Sequence, residues 1–358
     1  METPYTCRQT LKTPAPISCL TEGPSGHFFA GSDDGSVRVY NQETLKVVKA
    51  IRGLGEVSSI VCMAHSAGGL GDIWVASDRH ALRFTMDTEK MILAKADATL
   101  TLELGAKNDD VLNELSLNQK NSQLAFCLDS GTVGVADLST KQITHMKTSH
   151  DNICGTVKFI PDRPSELVSG GYDSRLLHHD FHQRTISSRF DLGMSHLSES
   201  SGVLMSPPFI LSSAMSPSGV LAVGTADGRV WIGTSGEKMS RVSSGTSVNK
   251  KRRKWEGLKQ DGAFTADVGH GPITALAFIG PRTLFTSTLM GKVTLHEVGG
   301  PTADGKLDLS AKWMKATTDV NKVNGIIATG DLIIIGGLSE RGEGMIEVWE
   351  KEPKSGDV

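Results

Sequence analysis

One stretch of the chain, residues 148–181 with the residues that follow it to 191, contains all the parts of a small antiparallel sheet. Short apolar runs alternate with turns: Pro161 and Pro164 interrupt pairing in one turn, and a glycine-rich segment containing Asp173 forms the next. Four short strands cannot bury both faces of their own sheet, so the unit requires neighbours of the same kind. The strands are predicted over residues 153–159, 167–169, 175–181 and 185–191.

The same order of apolar strand, small residues, turn and second strand recurs along the whole chain. Thirty-nine glycines, few aromatic residues and the absence of long helical periodicity fit many short strands joined by tight turns. The sequence therefore predicts an all-β fold made of repeated sheets, with residues 1–358 in one domain. The copies start near residues 17, 57, 111, 153, 209, 273 and 323.

Three departures from a regular repeat carry structural expectations. The second copy is expected to have its outermost strand at residues 91–95. Residues 235–261 are polar, and we expect them to form a basic excursion between the fifth and sixth units. The seventh copy ends after three strands, so residues 3–12 are expected to supply its outer strand and to close the ring, which removes an exposed sheet edge.

Five residues of the best copy carry a resemblance to the WD-repeat family. His150, Ser169 and Asp173 stand where WD repeats place a hydrogen-bonded group, and His179 with Asp180 stands where the signature Trp-Asp closes the third strand. The resemblance implies a seven-bladed WD-repeat β-propeller closed by its N-terminal strand. It also implies that the turn aspartate accepts hydrogen bonds from the turn backbone and from the histidine, a network worth keeping only when every member is satisfied.

Further passages, among them residues 115–119, 150–154 and 226–228, are similar to a subgroup of WD-repeat proteins. The resemblance implies a non-enzymatic protein and a candidate substrate receptor of a cullin-4 ubiquitin ligase. Many such receptors meet the ligase adaptor through Trp-Asp-x-Arg at the end of a third strand. The chain lacks an intact copy of this motif, so an adaptor contact would fall on Asp180 and Arg184. The alternative is that both residues only shape a loop.

Composition argues against several classes of function. The net charge of −3 and the pI of about 6.4 show no bias towards nucleic acid. Five scattered cysteines without a CxxC pair argue against a disulfide framework and a zinc site. Neither a signal-peptide core nor an apolar run of about 18 residues is present. We expect a soluble protein of the cytoplasm and nucleus, a monomer or complex subunit that binds proteins and has no membrane contact.

The imidazoles around Asp180 raise a metal hypothesis, because imidazole and carboxylate are common zinc ligands. Adjacent residues of a strand point to opposite faces, so His178 and His179 cannot ligate one ion without a bulge, and His182 lies beyond the strand. We predict a structural role for this segment and no metal or cofactor. Motifs such as GxSxG, a P-loop or HExxH are absent from the sequence, and an enzyme is not expected.

A run of five cations is the sharpest local charge feature. It could be a nuclear-localisation signal or, less favoured, a nucleic-acid contact through phosphate neutralisation, and the alternative is a solvated loop. The run comprises Lys250, Lys251, Arg252, Arg253 and Lys254.

These observations predict a non-enzymatic protein-interaction scaffold. One hypothesis is a substrate receptor of a cullin-4 ubiquitin ligase, and the other is a nuclear scaffold in ribosome assembly or another RNA-associated complex. Arginines on the turns and inner rim are candidate contact residues, although each is as easily a solvated blade residue: Arg38, Arg83, Arg175 and Arg229.

Overall fold

The computed structural model describes residues 5–63, 68–193, 206–237, 254–300 and 307–352. Within these residues the strands form seven sheets, and the innermost strand of each sheet contacts the innermost strand of the next until the seventh meets the first. The chain is therefore a seven-bladed propeller around a central channel, as the sequence predicted. Strands are called a to d from the channel outwards. The lower face carries the a–b and c–d loops, and the upper face carries the others.

The strands of the first three blades follow the chain with one interruption. Blade one contains β2 (Ile17–Glu22), β3 (His27–Ser32), β4 (Val37–Asn41), β5 (Val47–Arg52) and an added β9 (Ile92–Ala94). Blade two contains β6 (Val57–Met63), β7 (Asp72–Ser77), β8 (His80–Thr85) and β10 (Leu100–Glu103). Blade three contains β11 (Leu112–Leu117), β12 (Gln123–Leu128), β13 (Val133–Asp137) and β14 (Ile143–His145).

The last four blades end with the strand that begins the chain. Blade four contains β15 (Cys154–Phe159), β16 (Glu166–Gly171), β17 (Arg175–Asp180) and β18 (Thr185–Asp191). Blade five contains β19 (Ile210–Met215), β20 (Leu221–Thr225), β21 (Arg229–Gly233) and β22 (Ala263–Asp267). Blade six contains β23 (Ile273–Phe278), β24 (Thr283–Thr288), β25 (Lys292–Val298) and β26 (Leu309–Ala316). Blade seven contains β27 (Lys322–Ala328), β28 (Leu332–Leu338), β29 (Gly344–Lys351) and β1 (Tyr5–Thr13).

Apolar clusters lie between neighbouring blades, so the middle strands of a sheet are buried on both faces. Phe29 of blade one packs with Val57 and Phe84 of blade two, while Phe28 packs with Ile334 of blade seven. This arrangement explains why the b and c strands read as nearly continuous apolar runs, which is the pattern of a strand covered on both sides.

The N-terminal strand closes the ring by antiparallel pairing with β29, from Tyr5 opposite Lys351 to Thr13 opposite Gly344. Tyr5 is only 2% exposed, its hydroxyl donates to the carbonyl of Gly330 at 3.0 Å, and its ring meets Phe285 edge-on. Chain closure thus buries a large aromatic side chain as well as pairing two strands.

A buried carboxylate secures the same blade. Glu347 is fully buried, one of its oxygens accepts the indole N–H of Trp349 at 2.7 Å, and the other accepts three backbone N–H groups. Those three donors belong to the turn that leads from blade six into blade seven. A buried charge with four donors is satisfied, so it fixes this turn to the last c strand. The donors are Thr318, Asp319 and Val320.

Side-chain hydrogen bonds link neighbouring a strands around the channel. Each a strand has a register shift near its start, directly after its first residue in blades one to six and after its second residue, Val323, in blade seven. At six of the seven junctions, the carbonyl oxygen of the residue before the shift accepts a side-chain donor from the preceding blade. At the junction of blades four and five, Gly155 stands at the donor position, and a Cβ there would lie 3.2 Å from the carbonyl oxygen of Ile210. The donors at the other junctions are Ser18, Ser58, Asn113, Ser212, Thr274 and Asn324.

Two expectations, one for an outer strand and one for the position of the excursion, are wrong. Residues 91–95 do not form the outer strand of blade two, because β9 pairs in parallel with β5 of blade one and buries Leu93, while β10 takes the outer position in blade two. The excursion does not separate blades five and six, because β22 pairs with β21 and is the fourth strand of blade five. In the sequence, the excursion therefore stands between the c and d strands of blade five.

We predict that the closing strand determines both stability and solubility. Deleting residues 1–12 should expose the edge of β29 and cause association, and Tyr5→Ala should lower the free energy of unfolding by about 3 to 5 kcal/mol. Arg8→Ala, on the exposed side of the same strand, should change it by no more than about 0.5 kcal/mol. Chemical denaturation and size-exclusion chromatography measure these effects. A deletion variant that stays monomeric with an unchanged melting temperature would contradict the closure.

Candidate functional site

Blade four brings His150, Ser169, Asp173 and His179 into one buried chain of hydrogen bonds. The two ring nitrogens of His150 lie 2.9 Å from Oδ1 of Asp173 and 2.9 Å from Oγ of Ser169, and that oxygen lies 2.9 Å from Nε2 of His179. Asp173 also accepts the backbone N–H groups of Asp151 and Arg175, at 3.1 and 3.2 Å. The network ties the b–c turn to the loop before the blade.

The two histidines of this network have opposite electrostatics. Burial alone would lower the pKa of His150, but its hydrogen bond with Asp173 and its contact with Cys154 raise that pKa to about 9. Burial and the charges of His150 and His178 lower the pKa of His179 to about 3. His150 is consequently a cation paired with Asp173 at neutral pH, whereas His179 is neutral.

Blade six contains a shorter version of the same pairing that the repeat pattern did not reveal. Nε2 of His296 lies 3.1 Å from Oγ1 of Thr286, and both residues are buried. Burial lowers the pKa of His296 to about 4, so this histidine is also neutral. His270, which follows a glycine as WD-repeat histidines often do, is exposed, and Met290 replaces the turn aspartate. His296 lies opposite Leu284 in the pairing of β24 with β25, as His179 lies opposite Leu167 in blade four. This shared register is the signal that could have identified His296.

His178 lies on the opposite face of β17 from His179. Its Nε2 lies 2.9 Å from Oε2 of Glu166, its Nδ1 lies 3.2 Å from Oγ of Ser188, and its ring meets Trp255 edge-on. His182 lies beyond the strand, in an exposed turn. The described part of the chain contains no group of three or more His, Cys, Asp or Glu residues arranged to hold a metal ion.

The c–d turn of blade four contains the residues singled out for an adaptor contact. Oδ1 of Asp180 accepts the backbone N–H of Gln183 at 3.1 Å, so this carboxylate caps the turn. Arg184 is exposed, adopts a positive φ of 55°, and donates from Nε to the carbonyl of His145 in blade three at 2.9 Å. The structure thus places Asp180 within the turn and Arg184 on the surface between two blades.

Two other blades have the same turn geometry. Asn41 of blade one and Asp137 of blade three accept backbone N–H groups of their own c–d turns, and the fourth residue after each has a positive φ. Those fourth residues are Leu45, with φ of 56°, and Lys141, with φ of 60°. The spacing of Asp180 and Arg184 is therefore the spacing of a recurrent turn, and the distinguishing feature of blade four is the exposed guanidinium.

A cavity of about 440 Å³ lies on the lower face beside this turn. One wall is the a–b loop of blade four, another is the c–d turn, and Lys254 contributes a third. The rest of the basic run, Lys250 to Arg253, lies outside the described residues. Lys254 itself is exposed and donates from Nζ to the carbonyl of Ser187 at 3.0 Å.

The end of the supposed excursion is part of the core. Trp255 is 2% exposed and Leu258 is 4% exposed, and both belong to the apolar cluster between blades four and five. The indole N–H of Trp255 donates to the carbonyl of Gly219 at 3.2 Å. The polar composition of residues 235–261 concealed these two apolar anchors, so the expectation that the whole segment lies outside the blades is wrong for residues 254–261.

The four candidate contact arginines are bound within their own blades. Arg38 pairs with Asp34, and Arg83 pairs with Asp72. Arg229 pairs with Asp227, and Arg175 pairs with three aspartates, Asp151, Asp173 and Asp191. These guanidinium groups support the turns and strands of the blades, and none of them matches the exposure of Arg184.

A closed ring of seven blades and the hydrogen-bonded network of blade four are features of WD-repeat proteins. A comparison with protein-family models gives a match of the same kind. The WD domain, G-beta repeat model matches residues 5–41, which comprise the closing strand and the first three strands of blade one. The chain is a seven-bladed β-propeller that is similar to WD-repeat proteins. The WD repeat-containing protein 53 homolog of Dictyostelium discoideum is 25% identical to it over 234 residues, or 60% of this chain. The match spans 61% of the length of that relative.

Propellers of this class generally serve as protein-interaction scaffolds, because rigid sheets hold short loops at the two faces of the ring. In the described ranges, no helix is long and apolar enough to cross a membrane.

We predict that stability falls as the pH drops from 7 to 5. The unfolded chain takes up protons on histidine near pH 6.5, whereas His179 and His296 are held neutral down to about pH 3 and 4 in the fold. Below about pH 6.5 the unfolded state therefore binds more protons, and folding becomes less favourable. His150 has the opposite effect, because its pKa is raised in the fold. Its contribution to the stability of the fold is complete below about pH 6.5 and is lost as the pH rises through about 9.

The double substitution Thr286→Val with His296→Leu removes one acid-labile histidine together with its hydroxyl partner, so that no buried polar group is left unpaired. This variant should lose less melting temperature between pH 7 and pH 5 than the wild type. His182→Ala, which removes an exposed histidine, should retain the wild-type decline. Equal declines in the double variant and in the control would show that the buried histidine does not contribute.

Proposed function

We propose that this propeller is a protein-interaction scaffold that serves as a substrate receptor of a cullin-4 ubiquitin ligase and meets the ligase adaptor through the lower face of blade four. The observation that carries the proposal is the exposed guanidinium of Arg184, which follows the Trp-Asp position of the blade by four residues. The resemblance to WD-repeat receptors supports the same face.

The two residues of the proposed contact have different roles. Asp180 is half-buried, and one of its carboxylate oxygens accepts a backbone N–H of its own turn. Its role is therefore to hold the turn in place. Arg184 keeps most of its five N–H donors available, because Nε alone is engaged with the carbonyl of His145. A planar guanidinium held at one nitrogen can still make a bidentate contact with a partner carboxylate.

The rigidity of the blade favours such a contact. The c–d turn connects two paired strands, and the carboxylate of its first residue, Asp180, caps the turn by accepting the backbone N–H of Gln183. Binding to a preformed turn requires little ordering of the chain, so a single exposed arginine can contribute a large part of the interaction.

We expect Arg184→Glu to weaken binding of purified cullin-4 adaptor by more than about tenfold, because charge reversal places like charges together. The matched control is Lys141→Glu, which reverses an exposed cation at the same turn position in blade three. Surface plasmon resonance with the folded, full-length protein measures both. Failure of the wild-type protein to bind the adaptor, or equal losses in the two variants, would refute the receptor proposal.

The second candidate function is a nuclear scaffold in ribosome assembly or another RNA-associated complex, with the protein shared between nucleus and cytoplasm. The observation that favours it is that the two ends of the basic segment are held by the propeller. Glu237 pairs with Arg282 of blade six through both carboxylate oxygens, and Trp255 is buried between blades four and five. The residues that flank the cationic segment on both sides are therefore held by the propeller.

Replacing all five basic residues, from Lys250 to Lys254, by glutamine should shift a fluorescent fusion from the nucleus to the cytoplasm and reduce its recovery with pre-ribosomal particles. The substitutions leave Trp255 and Glu237 in place, so the fold is retained. An unchanged distribution together with unchanged recovery would eliminate this candidate.

A further inference from the structure

The 440 Å³ cavity on the lower face of blade four is built from three separate parts of the chain. We infer that it binds a carboxylate side chain of a partner protein, with the ammonium group of Lys254 as the recognising cation. The inference rests on the proposed scaffold function but not on the identity of the cullin-4 adaptor.

Two of the three carboxylates that line this cavity, those of Glu166 and Asp180, have hydrogen-bond partners within the fold. Oε1 of Glu166 lies 3.1 Å from Arg163, and Oε2 of the same carboxylate lies 2.9 Å from Nε2 of His178. Asp180 is engaged with its own turn through Oδ1. Burial would raise the pKa of Glu166, but the contacts with His178 and Arg163 hold it below its usual value, so this carboxylate stays charged and paired.

Lys254 differs from these groups because its ammonium group uses only one of its hydrogen-bond donors in the contact with Ser187. An ammonium group has three donors, and the bond from Lys254 to the carbonyl of Ser187 uses one of them at 3.0 Å. The carbonyl acceptor is neutral, so the positive charge is not cancelled by that contact. The cavity therefore offers an anion one cation with unengaged donors, while Glu166 and Asp180 already have partners within the fold.

The backbone of Lys254 is fixed by the next residue. The indole of Trp255 lies against His178, with ring centroids 5.0 Å apart, and it fills a space that only glycine leaves open. A Cβ on Gly236 or Gly257 would lie 1.9 or 2.0 Å from atoms of that ring. The backbone of Lys254 is therefore ordered before binding, and the bond from Nζ to Ser187 directs its side chain, which distinguishes it from an ordinary surface lysine.

The surroundings favour an acidic protein over a nucleic acid. Carboxylates of Asp162, Glu166 and Asp180 line the same cavity and would repel a continuous phosphate backbone. A single aspartate or glutamate side chain can reach Lys254 without approaching all three. The mixed charge thus fits a protein surface with alternating signs, which is the usual form of electrostatic complementarity between proteins.

The probe is a fluorescein-labelled peptide in which glutamate and aspartate alternate with glycine, titrated with the full-length protein at low salt and followed by fluorescence polarisation. Lys254→Ala should weaken binding by about tenfold or more, the usual loss for a hydrogen bond to a charged group. Lys259→Ala is the matched control, because Lys259 is exposed on the same segment but pairs with Glu256 at 2.8 Å. The control should bind like the wild type, and melting temperatures verify that both variants are folded.

Three results would overturn the inference: equal losses in the two variants, equal binding of a peptide with glutamine and asparagine in place of the acids, or tighter binding of a single-stranded RNA of the same length. Adaptor binding is measured separately with Arg184→Glu. A protein that binds the acidic peptide through Lys254 but not the adaptor would refute the receptor proposal and leave this site standing.

Discussion

The pairing of β1 with β29 is the interaction on which the remaining structure depends. Every middle strand of the ring is covered by a blade on each side, so an open ring would expose the apolar faces of two blades at once. Tyr5 and Trp349 belong to the cluster that this closure covers, and the buried carboxylate of Glu347 fixes the turn behind it. Closure therefore converts seven sheets, none of which could bury its own faces, into one cooperative unit.

Much of this fold could be predicted from the sequence, because each repeat is marked by short apolar runs and turn residues that lie close together in the chain. Apolar runs with turn residues between them identify the a, b and c strands of each blade, and the missing fourth strand at the end points to the N-terminus. The outer strands follow weaker signals. β9 and β22 are short or polar and half-exposed, so their partners are decided by the chain path around them. A three-residue strand such as Ile92–Ala94 can add to either of two neighbouring edges without changing its own pattern.

The candidate site also has features that could be predicted from the sequence and features that could not. The His150 network could be predicted from the resemblance to WD repeats, in which each of its members has a fixed place. The pairing of Thr286 with His296 depends on cross-strand register in a blade whose other markers are replaced, so the sequence reveals it only when that register is compared with blade four. The cavity beside Asp180 could not be predicted at all, because its third wall comes from Lys254, 74 residues further along the chain. Composition placed that residue in a polar excursion, and two buried side chains just after it place it on the blade.

The junction of blades four and five concentrates the departures from regularity. Gly155 interrupts the ring of side-chain donors around the channel there, and Trp255 enters from the side to fill the apolar space between the same two blades. The other six junctions are each held by a side-chain donor from one a strand to the next. Here a segment from outside the repeat carries part of the packing, and it brings Lys254 to a place where the repeat alone offers no cation. A new surface can thus arise on a propeller without altering its blades, provided that the added segment supplies its own anchor.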